Sequence, residues 1–136
     1  MPKAIYKTPE ELQTAIDAYF IQCAGVPVFG PDGRPLFDEH GRQIRKGATP
    51  PTVTGLSVFL GFADRRGLHH QCARGPEWHV IVLRARARCE LYAEEHLYYC
   101  DTYKGAAYML LRAFGWGRRR IPESPQVIIT TEERKD

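Results

Sequence analysis

The sequence predicts a mainly α-helical fold. An N-terminal helix-turn-helix carries a β-hairpin-like insertion, a long antiparallel helical hairpin follows, and a short β-strand lies near the C-terminus. Three observations predict this. Residues 8–24 repeat apolar side chains at helical spacing behind a strong start signal. Residues 52–74, "TVTGLSVFLGFADRRGLHHQCAR", run as an apolar helix into Gly61 and Phe62 and restart at once as a polar one. Residues 77–100 contain neither Gly nor Pro, and a further helical pattern begins after only Asp101 and Thr102.

The first helix is expected over residues 8–24. Thr8 caps it, Pro9 fits the first helical position, and Glu11 stands where a capping box needs it. Leu12, Ala15, Ile16, Tyr19, Phe20 and Cys23 form its apolar face. Residues 25–51 change character. Two turn signals, Pro31-Asp32-Gly33 and Glu39-His40-Gly41, separate short apolar pieces. Weak strands are expected at 26–29, 34–37 and 42–45, as a hairpin or small meander. A second helix follows, capped by Thr52, burying Val53, Leu56 and either Phe59 or Leu60, and ended by Gly61.

The third helix is expected from Ala63 or Asp64 to Gly75. With Leu68 on its core face and about 100° per residue, Cys72 lies about 40° away, so the two form an inward seam. Arg66 and His70 fall about 160° away, on the outside, and Arg65 and His69 flank the seam. Arg74 also faces out. Such a face suits duplex DNA, because Arg bonds guanine edges bidentately and Arg, Lys or His bind phosphate. The "GFA" turn fits the motif. A charged helix face that is merely solvated has the same composition.

The hairpin begins at Pro76. Trp78, Ile81, Val82, Ala85, Cys89, Tyr92, Ala93 and Leu97 form its apolar stripe to about Cys100. Arg86 and Glu90 stand four apart, a spacing worth about 0.3 kcal/mol as an in-helix pair. Thr102 is placed to cap the last helix, which buries Ala106, Met109, Leu110, Ala113 and Phe114 and stops at Gly115. "QVIITT", residues 126–131, reads as a strand that needs a partner. The divisions are therefore 1–75 (insertion 25–51), 76–116 and 117–136.

Composition bounds the rest. The chain has 136 residues, 43% hydrophobic and 26% charged, with a net charge of +3. That is ordinary for a folded domain and too mild by itself to argue for a polyanion partner. The distribution is more informative: residues 62–90 hold six Arg (65, 66, 74, 84, 86, 88) against three acids (64, 77, 90), and residues 112–120 hold four Arg (112, 118, 119, 120) and no acid. Residues 1–12 lack the apolar core of an export signal, and no apolar run approaches the ~20 residues of a membrane span. A cytosolic setting with reduced cysteines is the expectation. Cys72, His79, Cys89, His96 and Cys100 contain no CxxC, and buried free Cys is common without chemistry. No metal, cofactor or catalytic set is assigned.

Taken together, "PPTVTGLSVFLGF", the Arg soon after it, the Pro-led helix with "RARARCELYAEEHLY", and the closing "GAAYMLLRAFGW" resemble the small terminase subunits of tailed double-stranded DNA bacteriophages. The resemblance covers roughly residues 8–116. It implies a ring oligomer of about eight to ten copies in the host cytoplasm. It further implies binding of viral double-stranded DNA at a packaging site and regulation of a large terminase subunit, which supplies the ATPase and nuclease. The absence of a Gly-rich phosphate loop ending in Lys-Ser/Thr agrees with a non-catalytic partner. Arg65, Arg66, His69, His70 and Arg74 are then the expected DNA readers, with Arg118, Arg119 and Arg120 as a second patch. Trp78, Arg84, Arg86, Arg88, Tyr92, Glu94, Glu95 and Tyr99 are the expected oligomerisation residues, and the 126–131 strand would join a barrel between subunits. Residues 122–136 are the expected large-terminase contact. The alternative is a helix-turn-helix transcription regulator, a dimer reading half-sites one helical turn apart.

Overall fold

The structure, a computed structural model, describes residues 5–117. Five α-helices dominate it: α1 (Pro9–Ala24), α2 (Val53–Phe59), α3 (Arg65–His70), α4 (Pro76–Glu95) and α5 (Tyr103–Ala113). Two short strands, β1 (Val26–Pro27) and β2 (Arg45–Lys46), form one antiparallel pair between α1 and α2. No helix among the described residues is long and apolar enough to cross a membrane. The 126–131 strand, Arg118, Arg119, Arg120 and the 122–136 contact lie outside the described residues.

Helix α1 starts as its cap chemistry dictates. The Thr8 hydroxyl accepts the Glu11 amide at 3.1 Å. Glu11 reaches back to the Lys7 amide at 2.9 Å, one residue beyond the Thr8 amide that a capping box uses. Leu12, Ile16, Tyr19 and Cys23 are its buried face. The Thr52 hydroxyl caps α2 by accepting the Gly55 amide at 2.9 Å, and the Thr52 amide donates to the Tyr19 phenol at 3.0 Å. One cap thus also ties α1 to α2. Leu56, Ser57 and Leu60 are the buried residues of this segment, while Phe59 stays exposed.

Around these packs one apolar cluster: Leu12, Ile16, Tyr19, Leu56, Leu60 and Leu68, joined by Trp78, Val82 and Ala85 of α4. The core therefore continues across the 75/76 division without a break. Helix α3 is shorter than the spacing predicts. It ends at His70, and residues Gln71–Arg74 tighten into a 3-10 turn. At about 120° per residue instead of about 100°, that turn swings Arg74 off the face on which α-helical counting puts it.

The 25–51 insertion is more closed than a hairpin. The three expected strand segments are joined by bridges Phe29↔Pro35 and Phe37↔Gln43 and by the β1–β2 pair. Each segment thus pairs with both others. Leu36 N donates to Val28 O, Ile44 N to Leu36 O, and Val28 N to Ile44 O, a backbone circuit of 2.8–3.0 Å bonds. The returning chain crosses Gly25 so closely that a Cβ there would lie 2.6 Å from the Lys46 carbonyl oxygen, and Gly25 has φ 70°. Only Gly meets both demands.

Helix α4 has 20 residues, roughly 30 Å, and stops at Glu95 where the pattern predicts about Cys100. Polar side chains explain the early stop. His96 Nδ1 bonds the Tyr92 carbonyl at 2.8 Å, and the Thr102 hydroxyl donates to the His96 carbonyl at 2.8 Å. The expected Thr102 side-chain cap of α5 is not formed: the hydroxyl donates to the His96 carbonyl and accepts no α5 amide. The chain then returns along α4. Thr102 meets His96 at one end, and Ala113 and Trp116 meet Arg86 and Glu90 further back, which makes an antiparallel hairpin.

Candidate nucleic-acid interface

Helix α3 begins with its own acid. Asp64 caps it by accepting the Arg66 amide at 2.9 Å, and the same carboxylate takes the Arg66 guanidinium at 2.7 and 3.1 Å. That guanidinium holds the Asp64 carboxyl below its usual value, and the carboxylate raises Arg66 in turn. Arg66 remains largely in solvent, so the pair orients it more than it removes it. Arg65, His69 and His70 are exposed, and no hydrogen bond or ion pair holds their side chains among the described residues.

Arg65, Arg66 and His69 line a concavity of about 200 Å³ between α3 and α4. Its apolar part is Val53, Leu68 and Val82, and its fourth polar group is Arg86. No acid lines it; the nearest in sequence, Asp64, sits against Arg66. Three Arg side chains and one His side chain therefore border one small hollow with an apolar floor. Arg65, Arg66 and His69 are exposed and Arg86 is half-buried, so this positive charge lies where an anion in solvent can reach it.

Arg86 is the member that sequence periodicity places elsewhere. Its expected in-helix pair with Glu90 is not formed. The Arg86 amino group donates to the Ala113 carbonyl at 2.9 Å, and its guanidinium lies 5.0 Å from the Phe114 ring centroid. Glu90 instead accepts the Trp116 indole N–H. Both partners prefer groups brought in by α5, because an exposed pair of that spacing is worth only a few tenths of a kcal/mol.

Arg74 points away from this hollow. Its guanidinium donates to the Tyr6 carbonyl at 2.6 Å and to the Gln71 side chain at 3.0 Å, and stacks 3.6 Å from the Trp78 ring centroid. It braces the junction of the 3-10 turn and α4. Four of the expected readers, Arg65, Arg66, His69 and His70, thus share the α3 surface, and Arg74 does not.

The expected oligomerisation residues also divide. Trp78 is buried beneath Arg74. Arg88 pairs with Asp17 at 3.0 Å and lies over Phe20. Tyr92 stacks on His96 at 3.9 Å. Tyr99 lies 4.3 Å beneath the guanidinium of Arg42, which clamps Asp101 at 2.8 and 3.1 Å and so docks the insertion on the α4–α5 turn. Only Arg84, Glu94 and Glu95 stand clear in solvent. Beside them run residues the periodicity reading passed over. Val80 (52% exposed), Leu83 (46%), Ala87 and Leu91 (51%) form a stripe opposite the buried Trp78, Val82, Ala85 and Cys89. Their spacing of three and four residues was visible in the sequence. It was overshadowed by the bulkier stripe that forms the core.

A cavity of about 470 Å³ lies between α2 and the hairpin and is mainly apolar, with Val53, Ala93, Met109 and Phe114 among its walls. Cys89 borders it, and burial pushes that thiol up to about 12. A thiol raised this far stays protonated at neutral pH. Among the described residues, no three His, Cys, Asp or Glu gather to hold a metal ion.

Comparisons with protein-family models, curated proteins and solved structures gave no match. The functional reading rests on the chemistry of the surface itself.

Proposed function

We propose that this chain is a DNA-packaging adaptor of the small-terminase kind. In this reading it binds viral double-stranded DNA through α3 and assembles as a ring of about eight to ten copies. It regulates a large terminase subunit in the host cytoplasm and performs no catalysis itself. The observation that carries the reading is the convergence of Arg65, Arg66, His69 and Arg86 on one hollow beside an exposed α3. Duplex DNA presents a dense row of phosphates, and such contacts dominate affinity. One α3 offers few of them. A ring offers several at once, so modest sites gain through effective concentration.

The stripe of Val80, Leu83, Ala87 and Leu91 supports self-assembly, because an apolar helix face left in water favours a partner. Arg84 toward one end of that face and Glu94 and Glu95 at the other give a staggered neighbour opposite charges to meet. The test is fluorescence anisotropy of labelled duplex DNA across a salt series. Wild type is expected to bind with a steep salt slope, and Arg65→Ala combined with Arg66→Ala to weaken binding and flatten the slope. Equal affinity and slope in the double variant would remove α3 as the reader.

A further inference from the structure

The hollow between α3 and α4 has a sharper meaning than a general positive charge. We propose that it is the seat of a single DNA backbone phosphate, and that Arg86, from the assembly helix α4, is one of its ligands. This rests on the DNA-binding reading above and adds to it a residue that helix-turn-helix reasoning does not include.

The donors present are suited to a phosphodiester. Guanidinium groups offer several N–H donors in a planar fork that matches phosphate oxygens, and three Arg side chains border the hollow. His69 adds a ring nitrogen. Asp64 offsets one charge, so the three Arg and one acid leave a formal excess of +2 with His69 neutral. One phosphodiester carries a single negative charge, and the site holds no acid facing the hollow that would repel it. Val53, Leu68 and Val82 supply an apolar floor against which the Arg stems can pack.

Arg86 is held ready for this. One amino group is fixed on the Ala113 carbonyl at 2.9 Å and the guanidinium is steadied by Phe114. Its other N–H groups have no partner among the described residues. A long side chain held in this way loses less conformational freedom when it takes a ligand. Arg66 is likewise held by Asp64. Two of the three guanidiniums are therefore pre-positioned by contacts that leave donors free. Because Arg86 belongs to α4, a phosphate in this seat fixes the DNA relative to the assembly helix and not to α3 alone.

The experiment compares the salt dependence of duplex binding for the full chain and three variants. Arg86→Gln keeps a donor for the Ala113 carbonyl but loses the charge; Arg86→Lys keeps the charge; Arg65→Gln is the α3 control. Arg86→Gln is expected to lower the slope of log K against log salt by about 0.9, the value of one phosphate contact, and Arg86→Lys to retain most of it. If Arg86→Gln keeps the full slope while Arg65→Gln loses it, the seat is wrong and α3 binding stands. If the wild-type protein shows no salt-dependent duplex binding, both fall together. If Arg86→Gln lowers the slope but Arg86→Lys lowers it equally, Arg86 acts through α5 packing and the proposal is overturned.

Discussion

On the side turned toward α3, helix α4 contributes Arg86 to a hollow ringed by Arg65, Arg66 and His69. About 100° further round its axis, at Ala87, it exposes an apolar stripe with Val80, Leu83 and Leu91. One face is suited to a polyanion and weakens with salt. The other is suited to an apolar neighbour and does not. A helix buried on one side only, with about half its circumference in solvent, can hold both roles because successive residues point to different faces. The proposed division of labour therefore predicts that changes on the two faces separate cleanly.

The largest effect is expected where both faces depend on a common support. Leu68 is fully buried under α3. Leu68→Ala is expected to cost about 2–5 kcal/mol in chemical denaturation and to weaken DNA binding as well. Unchanged stability and unchanged DNA binding would mean that α3 does not rely on that anchor.

Next is the stripe itself. Leu83→Asp with Leu91→Asp is expected to dissociate the assembly at unchanged helical content, measured by light scattering. The free protomer keeps its salt slope per site but loses avidity, so apparent affinity falls by about 10²-fold or more. If assembly survives this double change, the apolar stripe is not the contact.

How much of this was legible follows from which forces are local. The starts of α1 and α2 were readable because Thr8 and Thr52 cap amides only three residues ahead. The ends of α3 and α4 were not. Helix α4 stops where Thr102, six residues on, takes the His96 carbonyl. Helical spacing put Arg86 four residues before Glu90 but could not say which neighbours its guanidinium would meet instead. Its partners Ala113 and Phe114 come from α5, and Val53, Arg65 and His69 from the other side. The turns of the insertion were written in Pro31-Asp32-Gly33 and His40-Gly41. Its closure was not, because the pairing of Val28 with Ile44 spans both turns.

A smaller effect concerns the insertion. Phe29, Leu36, Phe37 and Ile44 remain exposed, so polar contacts carry much of its attachment. The Arg42 guanidinium holds Asp101 below its usual value, and the Arg42 amide does the same for Asp38. For a carboxylate with a depressed folded value, the stabilisation is present above its unfolded value near about 4 and is lost as pH falls through the folded one. Acidification below pH about 4 is therefore expected to release the insertion while the helical core persists. Amide exchange at Val28, Leu36 and Ile44 reads this directly. Protection that survives acid would assign the attachment to packing instead.

The smallest effect is chemical. Cys100 is exposed and Cys89 is buried with its thiol pushed up to about 12. Alkylation under native conditions is expected at Cys100 first and at Cys89 only on unfolding. Early labelling of Cys89 would place α5 away from α4 in solution.

The measurement that tests the central claim most directly is native mass spectrometry of the wild-type protein without DNA. The account predicts one closed species of about eight to ten copies, held by the outer face of α4. A monomer would contradict assembly through that face. A dimer would contradict the ring and turn α3 and its hollow into one half of a two-fold symmetric reader.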